Sequence, residues 1–169
     1  MSRVLAGALK RLMPDLRAFA RSVAANPCDS DDIVQDAVER ALKSGGAPDD
    51  DEALRRWMFR VIRNLNIDEL RKLRVRREYS VTQMRLHDDA PHHADVASNV
   101  LVRIAFDALQ PATREVLFLV DVAGLRYAEA AEVMEVPEGT VMSRLSRARK
   151  VMRDRIEERP DGQVRKTTR

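Results

Sequence analysis

Apolar residues recur along most of this chain at steps of three and four, the spacing of one face of an α-helix. From Val4 to about Ala25 the pattern is carried by Leu5, Leu9, Leu12, Leu16 and Phe19, with Pro14 marking a kink or a new first turn. Ser30 can cap a second helix running to about Lys43, with Asp31 and Asp32 in its first turn, where the positive end of the helix dipole favours acid. Ile33, Val34, Ala37, Val38, Ala41 and Leu42 form its expected buried face; Asp32, Gln35, Asp36 and Glu39 lie opposite. Ser44-Gly45-Gly46-Ala47-Pro48 breaks that helix. A long one follows from about Asp51 to about Arg76, with Leu54, Met58, Val61, Ile62, Leu65 and Leu70 as core, Trp57 at the flank, and Arg56, Arg60, Arg63, Arg71 and Arg74 along another side.

Periodicity lapses over residues 77–97, which contain all three histidines and Pro91. This stretch reads as a flexible linker; as a coil of about 20 residues it would span roughly 25 Å. Such a tether leaves the relative orientation of the flanking halves open. Periodicity resumes near Ser98 with Val100, Leu101, Ile104, Ala105 and Ala108, and again from Pro111 through Val116 to about Val122, with Gly124 as the stop. The last third is the most specific. An Ala-rich helix, Tyr127 to Met134, is followed by a turn punctuated by Pro137 and Gly139 and then by a basic helix. In that helix Val141, Leu145, Ala148, Met152 and Ile156 form one stripe, and Thr140, Ser143, Arg144 and Arg147 another. A buried stripe backed by a basic, hydrogen-bonding one is what a helix lying in a DNA major groove requires. Residues 159–169 lack an apolar pattern and are expected to fray.

Composition narrows the class. With 44% hydrophobic and 34% charged residues and only 4% aromatics, the composition favours helices, and 169 residues suffice for one ordinary domain or two small ones. The net charge of +3 conceals segregation: acid collects at 29–39 and 49–52, base at 55–77 and 144–155, which suggests two kinds of partner. A lone cysteine, Cys28, precludes an internal disulfide and fits a reducing cytoplasm. No apolar run approaches the ~18 residues of a membrane span.

Catalytic signatures are missing. The chain has no nucleophile elbow, no phosphate-binding glycine loop and no paired catalytic carboxylates, so it does not read as an enzyme, and no cofactor is expected. His87, His92 and His93, with Asp88, Asp89 and Asp95, lie in a polar loop without supporting structure, and the acidic helix face does not converge on a point; neither is expected to bind metal. Basic residues beside Trp57 could hold phosphates and stack on an unpaired base, or Trp57 could simply pack in the core.

Four blocks in order carry a family resemblance: LMPDLRAFAR, DDIVQDAVERAL, RRWMFRVIRNLNIDELRK and ALQPATREVLFLVDVAGLRYAEAAEVMEVPEGTVMSRLSRARKVM. The chain resembles the extracytoplasmic-function (group IV, sigma-70 family) sigma factors of bacterial RNA polymerase. The resemblance implies an all-α protein of two small helical domains: sigma region 2 over 1–76, a flexible linker over 77–97, sigma region 4 with its helix-turn-helix over 98–158, and a tail. It implies that Asp32, Gln35, Asp36 and Glu39 dock on the polymerase clamp, with the flap as a further contact. Trp57, Arg60, Arg63, Asn64 and Arg71 would meet the −10 promoter element as its strands separate. Thr140, Ser143, Arg144, Arg147 and Arg149 would read or clamp the −35 element. Partners implied are core RNA polymerase, promoter DNA and an anti-sigma factor. Ala47-Pro48 stand where the family often has an aromatic. Two alternatives remain: a regulator that binds duplex DNA through its helix-turn-helix alone, and a sigma mimic that sequesters an antagonist.

Overall fold

The computed structural model describes residues 2–24, 27–79 and 97–157, and among them there are helices and no strand. The first half contains α1 (Ser2–Val23), a short 3-10 turn (Pro27–Asp29), α2 (Ser30–Ser44) and α3 (Asp51–Tyr79). The second contains α4 (Ala97–Asp107), α5 (Pro111–Leu117) with a π-turn over Phe118–Val122, α6 (Tyr127–Met134) and α7 (Glu138–Glu157). The expected linker and tail fall almost wholly outside the described residues.

Local chemistry explains where the helices begin and end. Gly45 adopts φ 63° after α2, the left-handed geometry that favours glycine at a helix end. Asp50 accepts a hydrogen bond from the Ala53 amide at 2.8 Å and starts α3. Ser30, expected as a cap, is instead the buried first residue of α2, and Asp29 occupies the cap position without a side-chain bond. Pro14 neither breaks α1 nor restarts it; the helix is continuous through it. The π-turn closes with the Ala123 amide bonded to the Phe118 carbonyl at 2.8 Å, and Gly124, at φ 72°, ends it. The turn between α6 and α7 differs from the expected one. Its left-handed residue is Glu135 at φ 53°, while Gly139 lies inside α7.

Burial follows the apolar stripes, with instructive exceptions. Leu9, Leu16, Phe19, Ile33, Val34, Ala37, Leu54, Met58, Ile62, Val116, Val141 and Leu145 are all buried. Leu42, Ile104 and Ile156, expected on buried faces, are exposed. Leu42 and Ile156 sit in the last turns of α2 and α7, where the helix runs on to its end without apolar cover.

The two halves share one core. Phe118 of the second half lies 5.4 Å from Phe19 and 6.1 Å from Phe59, which are themselves 4.8 Å apart (ring centroids), in the tilted and edge-on arrangements that aromatic rings favour. Helix α5 packs on α1, and α6 on α3. The orientation that the sequence left open is therefore defined by an apolar seam, flanked by ion pairs.

Candidate nucleic-acid interface

Positions seven apart on a helix differ by only about 20° around its axis. Trp57, Asn64 and Arg71 therefore align along α3, with Arg60 beside them, while Arg56 and Arg63 align on a neighbouring side. Arg60 and Arg71 are exposed; Trp57 and Asn64 are half-buried. Trp57, Val61 and Asn64 form one wall of an open groove of about 440 Å³, whose other wall is Arg40, Lys43 and Ser44 at the end of α2. Two cations facing an indole ring and an amide could hold a phosphate and stack an unpaired base. Arg40 and Lys43 were not singled out from the sequence, although their position one turn before the Gly45 break was visible there.

Arg63 is placed differently from its expected neighbours. Its Nε lies 2.6 Å from Glu115 Oε1 on α5, and its Nη1 lies 3.9 Å from Glu135 Oε2 after α6. Neither Arg63 Nε nor Glu115 Oε1 has an aligned hydrogen-bond partner among the described residues, so charge rather than angular fit holds the pair. Glu115 is only 8% exposed. Burial pushes its carboxyl above the ordinary carboxylate range, with the charges of Arg63 and Arg144 pulling the other way. Arg56 repeats the arrangement one step along: its Nη1 donates to Glu129 Oε1 at 3.1 Å, and the other oxygen of Glu129 accepts from the Arg126 amide at the start of α6. Sequence reasoning missed Glu115 and Glu129. An acid immediately before the apolar run Val116–Val120 was the available signal for Glu115.

On α7, Val141, Leu145 and Ala148 are buried, and Ser143 and Arg147 are exposed on the far side with Thr140 and Arg144 partly covered beside them. Arg149 departs from the expected grouping. Nine residues from Thr140, about two and a half turns, it points away from that stripe. Asp121 holds it through paired contacts at 2.5 and 3.1 Å, and raises its already high pKa further. On α2, Asp32, Gln35, Asp36 and Glu39 form one exposed face. Lys43, one turn on, bonds Glu39 and keeps that carboxyl below its ordinary range. Among the described residues no three His, Cys, Asp or Glu side chains are grouped to hold a metal ion; the three histidines lie outside them.

Both halves of the chain match known protein families. The family model for sigma-70 region 2 matches residues 8–76, and that for sigma-70 region 4 matches 101–152. The sigma factor EcfG of Rhodopseudomonas palustris is 34% identical over 142 residues, covering 81% of this chain and 76% of that protein. This chain belongs to the extracytoplasmic-function sigma factors of the sigma-70 family. SigM of Mycobacterium tuberculosis, a further such factor, is 31% identical over 134 residues, or 79% of this chain and 67% of its own length. A solved structure of the sigma factor RpoE of Bartonella quintana, in complex with the anti-sigma factor NepR, superposes with a TM-score of 0.72 at 26% identity, covering 89% of this chain and 94% of that one. The sigma factor binds core RNA polymerase and promoter DNA, and its family is not a class of enzymes. No helix among the described residues is long and apolar enough to cross a membrane.

Proposed function

We propose that residues 1–76 dock on core polymerase and open the −10 element, and that residues 98–158 hold the −35 element. Asp32, Gln35, Asp36 and Glu39 meet the clamp. Trp57, Arg60, Asn64 and Arg71, joined by Arg63, engage the separating −10 strands. Thr140, Ser143, Arg144 and Arg147 face the −35 duplex. Arg149 belongs instead with Asp121 on the opposite side of α7. The observation that carries this division is the alignment of Trp57, Asn64 and Arg71 on one side of α3, open to a groove with cationic walls and separate from the exposed acidic face of α2. Acid directed to protein and base directed to DNA account for the charge segregation without a catalytic centre.

The protein acts in the cytoplasm and is held in check by an anti-sigma factor, a reading supported by the likeness to a sigma factor solved with one. The test is transcription from a pool of genomic fragments by sigma-free core polymerase plus this protein. Transcript starts sharing two upstream elements, lost in Trp57→Ala and Arg144→Ala, are the expected result. Unchanged transcription in both variants would sink the residue assignment. Failure to bind core would leave only a duplex-binding regulator.

A further inference from the structure

The outward side of α7 continues past the residues so far assigned to DNA. Lys150 stands seven residues after Ser143, and Asp154 seven after Arg147, so each repeats the direction of its predecessor to within about 20°. Both are exposed, and Val141, Leu145 and Ala148 are buried on the other side of the helix. At about 1.5 Å per residue, Lys150 lies about 15 Å along the axis from Thr140, and Asp154 about 21 Å. The major groove is about 8.5 Å deep, and a recognition helix enters it with its N-terminal residues at the base edges. Lys150 therefore stands at the level of the groove rim, where the phosphates run, and Asp154 stands beyond it.

The charge of Lys150 is left without a partner among the described residues. Lys43 bonds Glu39, four residues before it, and Lys72 bonds Glu69, three before it, at 2.6 Å. The acid at helical spacing from Lys150 is Asp154, four residues after it, which is the weaker order on a helix. Among the described residues those two form no ion pair. The helix dipole does not account for Lys150 either, because α7 runs on for about two turns to Glu157 and the dipole acts within the last turn. Arg144 and Arg147 offer planar forks that suit base edges, whereas an ammonium is a point charge that suits a phosphate.

We propose that Lys150 is a further DNA-contacting residue, a clamp on a phosphate at the rim of the −35 groove that is blind to sequence, and that Asp154, one turn on, ends the contact by repelling the next stretch of backbone. The inference rests on the proposed −35 role of α7 and divides its labour. Thr140, Ser143, Arg144 and Arg147 choose the sequence, and Lys150 adds affinity on any sequence.

The test titrates assembled holoenzyme, at several salt concentrations, on a fluorescent promoter duplex obtained from the transcription assay and on the same duplex with its −35 element scrambled. One phosphate contact contributes about eightfold in affinity at about 0.1 M salt and about fourfold at about 0.2 M. Lys150→Ala should therefore lose about eightfold on both duplexes at the lower salt, with the slope of log K against log salt reduced by about 0.9 and the preference for the intact element unchanged. Asp154→Lys should gain by a similar factor on both duplexes and steepen the slope by about 0.9. Arg144→Ala, measured alongside, should instead narrow the preference for the intact element. An unchanged slope in Lys150→Ala, or a loss confined to the intact element, would overturn the clamp. An unchanged slope in Asp154→Lys would overturn the end point. If Arg144→Ala also binds both duplexes as the wild type does, the −35 reading itself fails, and the proposal with it.

Discussion

Helices α3 and α7 each carry arginines at helical spacing over an apolar stripe, yet their cations face different surroundings. On α7 the stripe through Ser143 and Arg147 looks outward, and Arg149, on the other side, is tied to Asp121 within the same half. On α3 the cations divide between an open groove beside Trp57 and a seam where Arg56 and Arg63 meet acids from the other half. A count of basic residues cannot separate these situations. The angle around the helix axis can, because a seven-residue step preserves the face and a step of two or five does not.

The comparison breaks most easily at the seam. Removing the ring of Phe118, 6% exposed, by Phe118→Ala should cost about 3–5 kcal/mol, the range for deleting a buried aromatic. Trp57 is the sole tryptophan and lies in the first half. In urea, both its fluorescence midpoint and the helical circular dichroism midpoint should fall together, as they must when two halves unfold as one unit. A fall in circular dichroism with an unmoved Trp57 transition would show that the halves unfold separately. A second substitution sharpens the other side of the comparison. Arg144→Ala should weaken holoenzyme binding to promoter duplex by about 1–3 kcal/mol and reduce the slope of log K against log salt by about 0.9. Arg149→Ala should leave that slope unchanged; equal losses in the two variants would erase the distinction between the two sides of α7.

What the sequence revealed and what it concealed divide along the same line. Periodicity placed every helix within a few residues, because burial of one face repeats locally and is written at three- and four-residue steps. The boundary of α6 at Tyr127 and Met134, the Gly45 break and the Gly124 stop were all visible, since each depends on neighbours in sequence. The meeting of Phe19, Phe59 and Phe118 was not, for no local pattern states which of several apolar faces will pair at long range. The same limit explains Arg63: its seven-residue kinship with Arg56 could be read, but not the acids opposite. Arg149 was grouped by charge when its angle should have separated it. Leu42 and Ile156 extend a correct stripe past the point where a neighbour covers it.

Glu115 supplies a pH test of the seam. Its carboxyl is raised above the ordinary range by burial, against the pull of Arg63 and Arg144, with Glu135 on the far side of Arg63. A group raised on folding adds stability at low pH that is lost as pH climbs through its folded value. Measured against Glu115→Gln, which does not titrate, the wild type should therefore lose relative stability from the ordinary carboxylate range upward. Urea midpoints of the two proteins, compared at several pH values, give the sign directly because shared acid effects cancel. A relative gain on raising pH would mean that pairing with Arg63 outweighs burial.

The smallest effect belongs to the pair that only resembles the seam. Arg149 and Asp121 make contacts as short as those of Arg63 and Glu115, but their side chains are 48% and 34% exposed against 16% and 11%. Water screens the first pair and leaves the second to desolvation, so equal distances do not imply equal energies. Asp121→Asn should cost only about 0.2–1 kcal/mol, and that small loss should shrink further in high salt. It should leave DNA affinity unchanged, because Arg149 points away from the Ser143 and Arg147 stripe. Denaturation in low and high salt, together with promoter binding by the holoenzyme, checks both parts. A loss of several kcal/mol, or a clear change in promoter binding, would place Arg149 among the residues that organise the DNA-facing surface and dissolve the contrast between its pair and the one at the seam.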